Sequence, residues 1–206
     1  MGSSFGFFSD GLDVEPSSWD HILKYANDQA GEAAAGRGPR RSTEVEARYK
    51  RYSAWCMERE HTTLQLLLAV NSWRPVSSRR FFAKECRVAL EPNIVPYHCD
   101  AGIEHWVLWY HPEDTPGSTD LDHDSSAEHV RTFISLQDDE LIVFQNLPEF
   151  RSVPEIAHAH AFVRPLCDTS AAALQALREE RRIRSPWAEA ERLGGRGDEW
   201  ARSIAR

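Results

Sequence analysis

Features that define several common protein classes are missing from this chain of 206 residues. Its four cysteines show no C-x-x-C spacing, which disfavours a disulfide framework and a cysteine zinc site. The longest apolar run, residues 64–70, is interrupted by Gln65 and falls well short of the roughly 20 residues that cross a membrane. The first dozen residues lack the basic start and continuous apolar core of a secretory signal. We therefore predict a cytoplasmic protein with reduced thiols and no membrane partner.

The common phosphate-binding loops are absent as well. Neither the P-loop pattern G-x-x-x-x-G-K-[ST] nor a G-x-G-x-x-G turn after a predicted strand occurs in the chain. An enzyme built on this sequence would therefore act on a substrate that is already activated, or carry out a simple hydrolysis.

Acidic residues outnumber basic ones by 32 to 24, which gives a formal net charge of −8. This charge argues against indiscriminate coating of nucleic acid, because such binding depends on counterion release by basic surface. The basic residues are nevertheless clustered, which permits a phosphate-binding face on an acidic protein, although a solvated helix surface also explains each cluster alone. The candidate phosphate contacts are Arg40, Arg41, Arg48 and Arg51 in one cluster, and Arg79, Arg80 and Lys84 in another.

Predicted strands lie in the middle of the chain, with predicted helices towards both ends. Helices are expected from Ser17 or Ser18, from Ser42 or Thr43, near 127–136 and over about 169–184, whereas glycine and proline predict a flexible connection at 31–40. Residues 141–145 read as a short strand, and 81–90 fit either element. This order predicts an α+β fold: one domain over 1–206 with a small mixed or antiparallel central sheet flanked by helices. We place its core at about 17–185, with 1–16 and 186–206 at the periphery.

Two histidines in the run 146–164 share one predicted strand face. With a period of two, Ile156, His158, His160 and Phe162 point one way, and the intervening alanines and Val163 point the other way. Histidines two residues apart on a strand have Cα atoms roughly 6.5 to 7 Å apart, so both can reach one phosphate, metal ion or reacting carbonyl. Half-exposed strand histidines with ordinary hydrogen bonds are an equally good explanation.

The run 93–109 alternates in the same way and presents aromatic residues on both faces. This indicates a central strand, so either His105 or Glu104 must point inward and needs a partner or a function. We predict that this strand and the H-x-H strand are neighbours. Three imidazoles, from His105, His158 and His160, could together bind zinc. They would do so only in one register between the strands, which the sequence does not determine, so we expect no metal.

Together the two runs carry the sequence features of a known family. These features are Asn93, Pro96 and Tyr97, the string GIEHWVLW at 102–109, Asn146 and Pro148, and the string SVPEIAHAHAFV at 152–163. Over about residues 17–165 the chain resembles a mainly fungal family of N-acetylglucosamine-induced protein-like domains. Some members of that family are arginine-containing cyclodipeptide synthases, aminoacyltransferases of secondary metabolism that join aminoacyl groups taken from tRNA.

The resemblance implies that the chain joins the arginyl group of Arg-tRNA to a second aminoacyl group from another charged tRNA, forming a diketopiperazine. No cofactor is implied, because an aminoacyl ester is already activated. Amide formation requires a general base and donors for an oxyanion. The implied catalytic set has His158 or His160 as base, His105 as its partner or oxyanion donor, and Asn146 as a positioning amide. The implied substrate-binding set has a carboxylate for the arginine side chain, from Glu104, Glu155 or Asp100, together with Tyr97 and Trp109. The basic clusters would contact tRNA phosphates.

Two other functions stay open. An H-x-H strand also resembles histidine-dependent phosphoesterases and nucleotide transferases of the histidine-triad kind, although Phe162 stands where the third histidine would be. The other alternative is a non-catalytic binding or regulatory module of the same family.

Overall fold

The two histidine-bearing segments lie side by side at the centre of a four-stranded sheet. The computed structural model describes residues 14–58, 88–93, 95–111, 115–117 and 119–180. The strands are β1 (Val88–Pro92), β2 (Glu104–Tyr110), β3 (Leu141–Phe144) and β4 (His158–Val163). Their order is β1-β2-β4-β3, and all three pairings are antiparallel. The prediction that the β2 and β4 segments are neighbours is therefore confirmed.

Five α-helices accompany the sheet in the described part of the chain. They are α1 (Trp19–Asn27), α2 (Gln29–Ala34), α3 (Thr43–Glu58), α4 (His123–Arg131) and α5 (Asp168–Glu180). Two of the predicted caps are confirmed: Ser18 Oγ accepts a hydrogen bond from His21 N–H at 3.2 Å, and Ser42 Oγ accepts one from Val45 N–H at 3.3 Å. The α4 helix begins four residues before its predicted start, because Asp122 caps it by accepting from Ser125 N–H at 2.7 Å.

Residues 31–40 do not form the predicted flexible connection throughout. Their first part belongs to α2, which Asp28 caps by accepting from Gly31 N–H at 3.1 Å. The buried side chain of Glu32 then ties the segment together, with Lys24 Nζ at 3.0 Å and Arg37 Nε at 2.8 Å. The hydrogen bond from Arg37, with that from Lys24, lowers the pKa of Glu32 to about 2. The chain turns only at Gly36, whose φ of 69° is a left-handed conformation that glycine adopts without strain.

The small side chains of β4 face the main apolar core. Ala159 and Ala161 lie fully buried between Trp106 and Leu108 of β2 and the apolar residues of α4 and α5, among them Val130, Leu174 and Leu177. The methyl groups leave room for the larger side chains of both helices in this layer. The opposite face of the sheet carries the histidines, and α1 covers part of it through Trp19, Ile22 and Tyr25, which pack with Ile142, Phe144 and Phe162.

These elements form one α+β domain with an antiparallel open sheet, as predicted. The ambiguous run 81–90 is strand from Val88 onwards, and its earlier residues lie outside the described ranges. The predicted peripheral segments fall almost wholly outside them too. Within the described ranges, no helix is long and apolar enough to span a membrane.

Candidate functional site

His105 and His160 form a direct hydrogen bond between neighbouring strands. Nε2 of His105 lies 2.8 Å from Nδ1 of His160, and both rings are almost completely buried. The His105 ring stacks against Tyr97, at a centroid distance of 4.8 Å, and against Phe162, at 4.4 Å, and the Tyr97 and Phe162 rings lie 6.2 Å from each other. Of the two candidates for the inward position on β2, His105 is therefore the one that faces the histidines of β4.

The hydrogen bonds around this pair determine where the protons lie. The backbone N–H of Tyr97 donates to Nδ1 of His105 at 3.0 Å, so the proton of neutral His105 is on Nε2, and Nε2–H donates to Nδ1 of His160. His160 must in turn carry its proton on Nε2, which lies 2.9 Å from the terminal amide of Asn146. Because Nε2 of His160 is then a donor, the Asn146 amide must present its oxygen to it. A 180° flip of the amide group gives this orientation. The result is a directed chain from the Tyr97 backbone through both imidazoles to Asn146.

The electrostatics of the pair agree with this neutral chain. Burial, with a contribution from Arg41, lowers the pKa of His105 to about 3. Burial also holds the pKa of His160 well below its ordinary value, and the charges of His105, His158 and Arg41 add to that effect. Removing an imidazolium from water is costly, and neither ring has a carboxylate hydrogen-bond partner in the described chain to offset that cost. Both rings are therefore uncharged at neutral pH.

His158 has the opposite tautomer. Its Nδ1 lies 2.8 Å from the carbonyl oxygen of Ile156, so Nδ1–H donates to that oxygen and Nε2 carries the lone pair. The ring packs against Trp109 at 4.9 Å and meets the His160 ring edge-on at 5.7 Å between centroids. Burial lowers the pKa of His158 as well, so its Nε2 can accept a proton only weakly.

One wall of a cavity of about 620 Å³ is formed by Tyr97, Asn146 and His160. Helix α3 and the segment before it supply cations and a tyrosine, and the turn after β3 supplies Phe150 and Ser152. The volume falls within the roughly 300–1,000 Å³ that is usual for small-ligand sites. Its charged and aromatic lining residues include Arg40, Arg41, Glu46, Tyr49, Lys50 and Phe150.

Arg41 is held in place on three sides. Its Nε donates to the carbonyl oxygen of Val95 at 3.0 Å, and its Nη1 lies 3.4 Å from Oε2 of Glu46. The guanidinium lies over the Tyr49 ring at 4.4 Å, a cation–π distance. Only 20% of its side chain is exposed. The cation is therefore fixed at the cavity before any ligand binds.

Several predicted substrate-binding residues do not meet at this cavity. The carboxylate of Glu104 projects on the other face of β2, where it pairs with Arg178 of α5 and accepts from Trp106 Nε1–H at 3.2 Å. Asp100 and Glu155 are exposed in turns and do not line it, and Trp109 packs against His158 instead. Tyr97 is the predicted substrate-binding residue that does reach the cavity.

The predicted phosphate contacts differ in where they lie relative to the cavity. Arg40 and Arg41 line the cavity, whereas Arg48 and Arg51 lie on α3 without lining it. Arg79, Arg80 and Lys84 lie outside the described residues. Glu46, Tyr49 and Lys50 also line the cavity, and of these three Lys50 belongs to the first basic cluster of the sequence whereas Glu46 and Tyr49 were not predicted as site residues. Their spacing of three and four residues, which places them on one helix face, was the available signal.

A second cavity of about 360 Å³ lies on the other side of Tyr97. Asn93, Cys99 and His105 are among its lining residues, and Tyr97 borders both cavities. Burial, and to a lesser extent Asp100, raises the pKa of the Cys99 thiol to about 12, so it is not an activated nucleophile. Within the described residues no group of three or more His, Cys, Asp or Glu side chains is arranged to hold a metal ion.

Comparisons with known proteins give a family match and a fold match. The family model described as "Protein of unknown function (DUF3605)" matches residues 32–164. The crystal structure of HTC1 superposes with a TM-score of 0.51 at 18% sequence identity, covering 79% of this chain and 96% of that chain, a likeness that concerns the fold alone. A sequence search of curated proteins found no match.

Proposed function

We propose a function for this chain on the premise that it belongs to the DUF3605 family, whose model matches well over half of its length. The chain is a tRNA-dependent cyclodipeptide synthase that joins an arginyl group to a second aminoacyl group. Its resemblance to the N-acetylglucosamine-induced and cyclodipeptide synthase proteins suggests this reaction. The observation that carries it is the neutral His105–His160–Asn146 chain ending at a cavity lined by arginines.

The reaction needs a polarised ester carbonyl and a proton acceptor. The amine of one aminoacyl group attacks the ester carbonyl of the other, a C–N bond forms, and the ester C–O bond breaks as the first tRNA leaves with its hydroxyl protonated. The second amine then closes the ring in the same way and releases the second tRNA. Each attack passes through a tetrahedral oxyanion that a fixed N–H donor stabilises.

His160 is assigned the role of that donor. Its Nε2–H is oriented by His105 through Nδ1 and is held by Asn146 in the resting state. An uncharged imidazole N–H in a buried site donates to a developing oxyanion without first losing a strong ion-pair partner. Neither histidine predicted as the base fits that role at the cavity: Nε2 of His160 carries a proton, and His158, whose Nε2 carries a lone pair, is buried and does not line the cavity. The proton of the attacking amine is therefore assigned to the departing tRNA oxygen.

The test uses purified protein with Arg-tRNA and a mixture of other charged tRNAs, and detects arginine diketopiperazines by mass spectrometry. We expect product with the wild-type chain and none after ribonuclease treatment. His160→Ala should lower the rate about 100-fold or more, the scale of a lost oxyanion donor. His123→Ala, at an exposed histidine on α4, is the matched control and should leave the rate unchanged.

Asn146→Ala covers the case in which a histidine variant fails to fold, since it leaves both imidazoles in place. If the folded wild-type chain makes no diketopiperazine from any charged tRNA pair, the proposal is wrong. A non-catalytic binding module would then be the better description. The histidine-triad alternative is weakened by Phe162, whose ring is fully buried and stacked on His105 at 4.4 Å.

A further inference from the structure

The cavity beside His160 has an excess of positive charge. Among the described residues that line it, Arg40, Arg41 and Lys50 are cations and Glu46 is the carboxylate. Glu46 is already shared between Arg41 Nη1 at 3.4 Å and Lys50 Nζ at 3.9 Å. A ligand in this cavity is therefore expected to bring negative charge.

Arg41 offers a prepared anion contact. Because Nε is bonded to Val95 and Nη1 faces Glu46, the guanidinium cannot rotate freely. Its Nη2 makes no hydrogen bond within the described chain, so it remains available for a ligand. A planar guanidinium held in one orientation suits the oxygens of a phosphate better than a mobile lysine does.

Aromatic rings surround the same space. Tyr25, Tyr49, Tyr97 and Phe150 line the cavity, and Phe150, in the turn Pro148–Phe150, is 48% exposed. One face of Tyr49 is occupied by Arg41, and Tyr97 is stacked on His105. Phe150 is therefore the ring best placed to accept a flat ligand group. Fixed cations next to exposed aromatic rings are the combination with which proteins hold single-stranded nucleotides.

We infer that the 620 Å³ cavity binds the 3′-terminal nucleotide of an RNA, with its phosphate on Arg41 and its base against Phe150. This inference rests on the proposed function, under which that nucleotide is the terminal adenosine of a charged tRNA. It places the ester near the Nε2–H of His160, since His160 and Asn146 line the same cavity. A free carboxylate or inorganic phosphate would leave the aromatic part of the cavity unused.

The experiment measures binding of the uncharged trinucleotide CCA to the full chain by calorimetry. We expect saturable binding that inorganic phosphate at equal concentration does not displace. Phe150→Ala should raise Kd roughly 5- to 150-fold, the usual effect of removing one stacked base contact. Arg41→Gln should raise Kd and flatten the dependence of log Kd on log salt concentration by about one phosphate contact.

Two control variants are matched to these positions. Arg48→Gln removes a cation of the same helix that does not line the cavity, and Leu166→Ala removes an exposed apolar side chain elsewhere. Both should leave Kd unchanged. Absence of CCA binding, or binding that all four variants leave unaltered, would overturn the inference.

The outcomes separate this inference from the proposed function. Diketopiperazine formed from charged tRNA by a chain that does not bind CCA would sink the nucleotide site and leave the synthase proposal standing. Binding of CCA that the Phe150 and Arg41 variants weaken, without any product from charged tRNA, would do the reverse.

Discussion

At the scale of single residues, His105 acts on the site through its two nitrogens. Nδ1 accepts from the Tyr97 backbone N–H and Nε2–H donates to Nδ1 of His160. The ring therefore determines which nitrogen of His160 carries the proton, and it stays uncharged in doing so. The rings of Tyr97 and Phe162 both stack against the His105 ring and restrict its rotation. His105 is therefore a positioning residue for His160.

His105→Phe tests this role, because phenylalanine keeps the stacked ring and removes both nitrogens. In the wild type we expect ¹⁵N chemical shifts of His160 that correspond to an unprotonated Nδ1 and a protonated Nε2. In the variant, the preference of His160 for a proton on Nε2 should weaken, because no imidazole at position 105 donates to its Nδ1. A His160 spectrum that does not change would contradict the tautomer assignment, and Phe162→Leu, which keeps both hydrogen bonds, is the control.

The sequence was informative about which residues share a face and uninformative about what lies opposite. Alternation correctly grouped His158, His160 and Phe162, because a strand has a fixed period. It did not decide between His105 and Glu104, since that choice depends on the pairing of β2 with β4. Tyr49 and Glu46 were not predicted for a related reason: their helical spacing shows only that they share a face, whereas their place in the cavity that His160 lines depends on tertiary packing.

At the scale of elements, a buried carboxylate joins β3 to α5. Glu140 accepts from Gln137 N–H at 2.8 Å and Leu166 N–H at 2.6 Å, and also from the hydroxyl of Ser170. Burial alone would raise its pKa, but these hydrogen bonds outweigh that effect and lower it. Glu140 thus helps to fix the start of α5, whose apolar residues pack in the same core as the alanines of β4.

Glu140→Gln should lower the free energy of unfolding by about 2–3 kcal/mol, because an amide N–H₂ must then face donors where a carboxylate accepted them. Urea denaturation measures the change. Glu128→Gln, at a residue of α4 whose side chain is 72% exposed, should cost less than about 0.5 kcal/mol. Equal losses in the two variants would show that Glu140 has no special role.

The elements were predicted where their signals are local. Serine caps marked the starts of α1 and α3, and alternation marked β2 and β4. The α2 helix was not predicted, because the glycines and proline of 31–40 suggested a loop. Its stability comes instead from the Asp28 cap and from the ion pairs of Glu32 with Lys24 and Arg37, whose geometry exists only in the folded chain.

At the scale of the whole molecule, buried neutral histidines make stability depend on pH. The pKa values of His105, His129, His158 and His160 are all lowered, chiefly by burial, and that of His105 reaches about 3. Above the ordinary histidine pKa of about 6.5, both folded and unfolded chains hold these rings neutral. As the pH falls below 6.5, the unfolded chain takes up protons that the folded chain refuses, so the folded state loses stability.

We expect the free energy of unfolding to fall between pH 6.5 and 5, with a slope that approaches about 1.4 kcal/mol per pH unit, near pH 5, for each histidine that stays neutral in the folded chain. Denaturation at several pH values measures the slope. His105→Phe should reduce it by the share of one histidine, whereas His123→Ala, at an exposed position, should not. A slope that is the same in the wild type and in the His105 variant would contradict the neutral assignment.

One face of β4 carries histidines and the other carries alanines, and this difference disfavours incorrect registers between β4 and β2. A slip of one residue in its pairing with β2 would turn His158 and His160 into the apolar layer under α4 and α5, and would present Ala159 and Ala161 to the cavity. Imidazoles without hydrogen-bond partners would then replace methyl groups in a buried apolar layer. The alternation of histidine and alanine in β4 thus disfavours a one-residue slip against β2. The register that buries the alanines is also the one that brings His160 to His105 and Asn146.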